Sequence, residues 1–257
     1  MKIAISGKGG VGKSTIAAAL SLYFAGKGHK VLALDADPDA NLARALGIPE
    51  KEQGGIVPVS KQIALIEERT GAKVKQYGQV FKLNPEVADI ADGYACKYRG
   101  VNLLVLGAVK SGGSGCACPE NTFLRALTTD LVLFKDETLI MDMEAGIEHL
   151  GRATASGVDV MIVVVEPGQR SIDSAKTILR MANEIGLKKA VIVGNKAANG
   201  REEAFIKNAL SGYEVLTVLP YSEAVRTADR QGVCASDIAD EKLEKALQEL
   251  YSGIERL

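Results

Sequence analysis

Ile3-Ala4-Ile5-Ser6-Gly7-Lys8-Gly9-Gly10-Val11-Gly12-Lys13-Ser14-Thr15-Ile16-Ala17-Ala18-Ala19-Leu20 passes from an apolar start through a glycine-rich centre into an alanine- and leucine-rich tail. The spacing Gly7-x-x-x-x-Gly12-Lys13-Ser14 between a strand pattern and a helix pattern is that of a phosphate-binding loop. Its glycines let successive backbone N–H groups turn inward around phosphate oxygens, and the helix behind adds the positive end of its dipole. Gly9, Gly10, Val11 and Gly12 then line the cradle. Lys13 reaches the β- and γ-phosphates, Ser14 offers its hydroxyl to Mg²⁺, and Thr15 contacts the α-phosphate.

Outward from this loop, short aliphatic runs alternate with longer segments of helical spacing, the pattern of βαβ units feeding a parallel sheet buried on both faces. Strands are expected at Lys2 to Ser6, Lys30 to Leu34, Asn102 to Leu106, Thr138 to Met141, Val158 to Val165, Ala190 to Gly194 and Glu214 to Leu219. Helices are expected over Thr15 to Ala25, over Ser171 to Ile185 with Ser171 as the cap, and over Glu241 to Ile254. The predicted class is α/β: a P-loop nucleotide hydrolase of one domain over residues 1–257, its mostly parallel twisted sheet of about seven or eight strands flanked by helices on both faces. Residues 47–100, punctuated by Gly54-Gly55, Pro58, Gly71, Gly78, Pro85 and Gly93, read as an irregular insertion over the C-terminal edge of the sheet.

Ligand sites in such sheets lie at the C-terminal ends of strands. The run Leu34-Asp35-Ala36-Asp37-Pro38-Asp39 sits at one such end, with Asp37 placed to orient the attacking water and Asp35 to reach Mg²⁺ through a water. Asp39 has the character of a solvated turn residue. At a second end, Thr138-Leu139-Ile140-Met141-Asp142 is an apolar strand closed by a carboxylate that supports Mg²⁺ from behind its bound waters. Gly146, four residues on, can turn an N–H toward the γ-phosphate and move when that group leaves. Asn195-Lys196-Ala197-Ala198 lacks the acid that guanine-reading loops carry, which favours adenine.

Lys8 adds a second lysine inside the loop, and here the sequence resembles the class with the pattern KGGxGK[ST], shared by MinD and ParA proteins, nitrogenase iron protein and CooC-type ATPases. The resemblance implies a homodimer in which the lysine at position 8 crosses to the partner's nucleotide and acts as an added cation during hydrolysis. It also implies that Asn195 hydrogen-bonds the base edge and that Pro220-Tyr221 closes over the ring.

Cys116-Ala117-Cys118 follows a glycine-rich stretch and precedes Pro119 and a helix pattern. Alternate residues of an extended chain face one way, so two thiolates can share one ion. A closed tetrahedral site needs four ligands, and a twofold axis through the pair supplies the other two. A CxC on a two-lysine P-loop chain is similar to the CooC-type nickel-insertion ATPases. That resemblance implies Ni²⁺, or Zn²⁺ in its place, as cargo for a client metalloenzyme such as carbon monoxide dehydrogenase or acetyl-CoA synthase, with ATP and ADP as the nucleotides.

The composition narrows the alternatives. Of 257 residues, 47% are hydrophobic and 25% charged, and the net charge of −1 draws the chain toward neither nucleic acid nor an anionic membrane. No apolar run is long enough to span a bilayer and no leader is evident, so the expected location is the cytoplasm. A nitrogenase iron protein-like electron carrier would place its second cluster cysteine near Glu144, where none occurs. A MinD-type positioning ATPase would carry a basic amphipathic C-terminal helix, whereas Asp240 to Glu249 mixes acids and bases.

Overall fold

The computed structural model describes residues 1–257 apart from 75, 77, 109–117, 135, 136, 145 and 147–151. Cys116 therefore lies outside the described residues. The strands are β1 (Lys2–Gly7), β2 (Val31–Ala36), β3 (Cys96–Tyr98), β4 (Val101–Val105), β5 (Thr138–Met143), β6 (Val160–Val165), β7 (Ala190–Ala197) and β8 (Val215–Pro220). They form one eight-stranded sheet in the order β3-β4-β2-β5-β1-β6-β7-β8, parallel throughout except that β3 runs antiparallel to β4.

Seven of these strands fall where the aliphatic runs predict them. β3 was not foreseen: three residues of mixed exposure carry no readable period, and pairing with β4 alone makes them a strand. β6 begins at Val160 because the Val158 N–H is taken by the Ala155 carbonyl in a turn.

The helices are α1 (Lys13–Gly26), α2 (Leu42–Ala45), α3 (Glu50–Gln53), α4 (Ile63–Thr70), α5 (Ile90–Tyr94), α6 (Pro119–Phe134), α7 (Arg152–Ala155), α8 (Gln169–Glu184), α9 (Gly200–Ala209), α10 (Glu223–Gln231) and α11 (Glu241–Glu255). Helix α8 starts two residues before the expected cap. Gly168 occupies the cap, and the buried Ser171 hydroxyl accepts the Glu166 N–H at 3.1 Å.

The side-chain period of two along each strand sorts the core into two layers. Ile3 and Ile5 of β1, Ile140 of β5 and Ile162 and Val164 of β6 face α1 and α11. Ala4, Leu139, Met141, Val163 and Val165 face the other way, against α6 and α8. Residues 47–100 meet the sheet's C-terminal edge, where the Ser60 N–H donates to Leu106 O at 2.9 Å. Beyond that point the segment packs on one face: Val59, Leu65, Ile66, Val87, Ile90 and Ala91 share a buried cluster with Phe123, Leu127 and Leu131 of α6.

Helix α11 spends its apolar side on the core. Leu243, Leu247, Leu250 and Ile254 are buried among α1 and sheet residues. Among the described residues no helix is long and apolar enough to cross a membrane.

Candidate functional site

The loop between β1 and α1 is shaped by close approach. Gly7 has φ +150 and passes the strand β6 so tightly that a Cβ would lie 2.5 Å from Val164 O. Gly12 has φ +100, and a Cβ there would meet Asn195 Nδ2 at 2.3 Å. Helix α1 starts at Lys13 behind Gly12, with no side-chain cap and no acid in its first turn, so its N-terminal N–H groups are left for an anion. Gly9 and Gly10 lie exposed at the rim while Val11 is buried beneath them. Ser14 and Thr15, in the first turn, are half-buried.

Substituting Gly12→Ala combines a left-handed backbone with that clash. We expect ADP affinity by calorimetry to fall at least about tenfold with the fold retained by circular dichroism.

The loop is fastened to β7. Asn195 Nδ2 donates to Val11 O at 2.7 Å and its Oδ1 accepts the Lys196 N–H at 2.9 Å. Lys196, itself at φ 61, extends its Nζ to Gly10 O at 2.5 Å and sits 3.9 Å from a Glu166 carboxylate oxygen. One Asn195 amide hydrogen remains for a further acceptor, so the base contact expected of Asn195 is compatible with its fastening duty. Pro220 ends β8 opposite Ala197, and the Tyr221 N–H donates to Ala197 O at 2.9 Å. Tyr221 is 45% exposed, and its hydroxyl hydrogen-bonds Glu223 at 2.5 Å. A cleft of about 350 Å³ opens here, lined by Glu166, Pro167, Lys196, Ala198, Glu202 and Tyr221.

The carboxylates gather on the other side of the loop. Lys13 is only 6% exposed, and its Nζ lies 3.9 Å from Asp37 Oδ2. Asp37 Oδ1 accepts the Asp39 N–H at 3.0 Å, which leaves Asp39 itself an exposed turn residue. Asp35 is wholly buried, its Oδ1 taken by the Asp37 N–H at 3.2 Å and its Oδ2 by the Leu42 N–H at 2.9 Å. It braces the turn that presents Asp37. Asp35 pairs in register with Asp142 across β2 and β5. Burial first, and then the neighbouring Asp142 charge, push the Asp35 carboxyl up to about 7.

Asp142 is the exception in this network. Both its oxygens are buried, and among the described residues neither meets a donor with hydrogen-bond geometry. Burial pushes its carboxyl up to about 6, against the pull of the Ser14 hydroxyl and the Lys13 ammonium. An orphaned buried carboxylate between a lysine and a helix-start serine fits a hydrated Mg²⁺ that brings it donors.

Gly146 also bears on this edge: the buried Ser6 hydroxyl donates to Gly146 O at 2.6 Å and accepts the Gly146 N–H at 3.3 Å. Ser6, Lys196 and Glu202 went unmarked in the sequence, because each acts through a partner more than a hundred residues away or through a cleft that only the fold creates.

Lys8 is half-buried at the rim, and its carbonyl accepts the Val11 N–H at 3.4 Å. Among the described residues it has no carboxylate partner in its own chain. Cys118 is half-buried just before Pro119, where its carbonyl accepts the Thr122 N–H at 3.0 Å. That places it at the N-terminal end of α6, on the edge of the sheet that carries the loop. Strand order sets β4 three positions from β1, a separation of about 14 Å at ordinary strand spacing. Among the described residues no three His, Cys, Asp or Glu side chains gather as a metal site.

A glycine cradle at a helix start, backed by a buried lysine and a strand-end carboxylate, defines a P-loop ATPase, here of the class with a second lysine in its loop. Residues 2–233 match the CobQ/CobB/MinD/ParA nucleotide binding domain, and the chain belongs to that family. It is 40% identical over 257 residues to the carbon monoxide dehydrogenase accessory protein CooC of Rhodospirillum rubrum, covering 100% of this chain and 97% of that one. It is 44% identical over 260 residues to an uncharacterised ATP-binding protein of Methanocaldococcus jannaschii, covering 100% and 98%. In fold it resembles a ParA family ATPase from Chlorobium tepidum, with a TM-score of 0.70 at 19% identity over 98% of this chain and 97% of that one.

Proposed function

We propose that this ATPase works as a homodimeric switch that holds a thiophilic metal, Ni²⁺ or Zn²⁺ in its place, at Cys116 and Cys118 and delivers it to a client metalloenzyme. The full-length likeness to a carbon monoxide dehydrogenase accessory protein supports that enzyme, or acetyl-CoA synthase, as the client. The observation that carries the reading is the position of Cys118 at the start of α6, on the same edge as the nucleotide loop. Metal capture and nucleotide state then share one surface, and a dimer closing over the nucleotides would also close the two cysteine pairs.

In hydrolysis, the α1 N-terminus and Lys13 hold the phosphates in line for attack. Asp37, braced by Asp35, orients the water, and Lys8 of the partner subunit balances charge on the departing γ-phosphoryl. When bound, Mg²⁺ would supply charge neutralisation at the phosphates; Ser14 and Asp142 are the residues that would hold it. Gly146 exchanges its contact with Ser6 for the γ-phosphate. At the base, Asn195 takes the ring edge and Pro220-Tyr221 covers the ring.

The test is metal content together with solution mass, measured on purified protein with and without ADP or a non-hydrolysable ATP analogue. We expect about one thiophilic ion per dimer. In Cys118→Ser the metal should fall to under about a tenth of that, with ADP affinity kept. Equal metal in variant and parent would move the metal site elsewhere. A brown, iron-rich protein would instead favour an electron carrier. The burial of the apolar side of α11 argues against a membrane-positioning role.

A further inference from the structure

The chain just past β4 is pinned from two directions. The Leu106 N–H donates to Asp35 O at 2.9 Å, and Leu106 O accepts the Ser60 N–H at 2.9 Å. One residue thus joins the strand that presents Asp37 to the 3₁₀ turn Val59–Lys61 of the insertion. The next residue is pressed onto that turn. Gly107 has φ +75, and a Cβ there would lie 2.5 Å from Ser60 Oγ and 2.6 Å from Pro58 Cβ. The turn also meets α6: Val59 is fully buried in the cluster that holds Phe123 and Leu127, and the turn packs against that helix. Cys118 immediately precedes α6, with its carbonyl bonded to the Thr122 N–H. The 3₁₀ turn therefore bridges the Asp37 strand and the helix that starts behind the metal cysteine. Close-packed contacts of this kind pass a displacement on instead of absorbing it.

We propose that this turn couples the nucleotide site to the metal site within one chain: a shift of the Asp37 strand end, as the γ-phosphate leaves, moves Leu106 and Ser60, and the turn carries it to α6 and Cys118. The inference rests on the metal site proposed above and adds how that site is regulated. Gly107 and Val59 are positioning residues here, acting through the turn and not on nucleotide or metal. By linkage, a nucleotide that favours one placement of the turn changes metal affinity by the same factor with which metal changes affinity for that nucleotide.

Zn²⁺ affinity of the full chain, measured by chelator competition with Mg²⁺ and either ADP or a non-hydrolysable ATP analogue, tests this. The parent should bind Zn²⁺ about tenfold tighter with the analogue than with ADP. In Gly107→Ala the added Cβ displaces the turn. The ratio should fall to about two or below, with ADP affinity within about twofold and the dimer mass in the analogue retained. Gly71→Ala is the control: its φ is +74, but nothing lies within 4 Å of a Cβ there, so it should keep the parent's ratio. Val59→Ala loosens the turn from α6 and should lower the ratio as Gly107→Ala does, which gives a second route should one variant not fold. A parent ratio of one, an unchanged ratio in folded Gly107→Ala or Val59→Ala, or an equal loss in Gly71→Ala would overturn the coupling. Zn²⁺ uptake unaltered in Cys118→Ser would overturn the metal site itself, a different failure.

Discussion

Lys8→Ala is expected to lower ATP turnover by about 10³-fold while leaving ADP affinity within about twofold, because the side chain serves the neighbouring subunit's nucleotide and not its own. Lys13 is buried against Asp37 within its own cradle, whereas Lys8 sits at the rim with no carboxylate partner among the described residues of its chain. A cation brought across an interface to the γ-phosphoryl is worth about 10³ to 10⁵ in rate. Mixing Lys8→Ala with an excess of Lys13→Ala protein separates the roles: a heterodimer has one intact site and should recover part of the lost turnover. Turnover in Lys8→Ala at the parent's rate would remove the cross-subunit role.

Asp142→Asn is expected to stabilise the nucleotide-free protein and to disable it. The parent keeps a buried carboxylate that meets no donor in good hydrogen-bond geometry among the described residues, and its pKa is raised to about 6. A carboxyl raised in the folded state lends its stabilisation when protonated: the gain is whole below the unfolded value near 4 and is lost as pH rises through about 6. At pH 8 the parent therefore carries a buried charge, only partly offset by Lys13 and Ser14, that asparagine does not. Relief on the order of 2 kcal/mol would raise Tm by about 4–8 °C. Lowering the pH from 8 to 5 should raise the parent's Tm more than the variant's, because Asp35 is left to titrate in both. Mg²⁺-dependent ATP turnover should fall by about 100-fold. A lower Tm at pH 8 for Asp142→Asn would show that the carboxylate has a partner in solution.

The two expectations differ in how legible they were. Lys8 and Asp142 are readable because a loop pattern and an apolar strand ending in an acid are local signals. The aliphatic runs likewise located every strand but β3, since a strand buried on both faces, as β1, β2, β5 and β6 are, must be apolar along most of its length. The fastening by Lys196 was not readable: a lysine at φ 61 is disfavoured locally, and its ammonium meets Gly10 and Glu166, which lie far off in the chain. Asp35 reads as a water-mediated Mg²⁺ contact; what the sequence does not show is that two backbone N–H groups, whose approach depends on where α2 begins, also engage its oxygens. The insertion's apolar residues lacked a clean period because they are spread over short helices and a 3₁₀ turn that meet only on α6.

Residues 195 and 196 grip the carbonyls of Val11 and Gly10 with their own side chains. Contacts within the chain thus hold the cradle in shape, and they lower the entropy cost of arranging it around a ligand. Diphosphate and triphosphate should meet the same rigid seat, so the difference between them must be registered by what surrounds it. A molecule organised this way tells time by its rim: the seat stays constant while Asp37 and Gly146 report whether the third phosphate is still there.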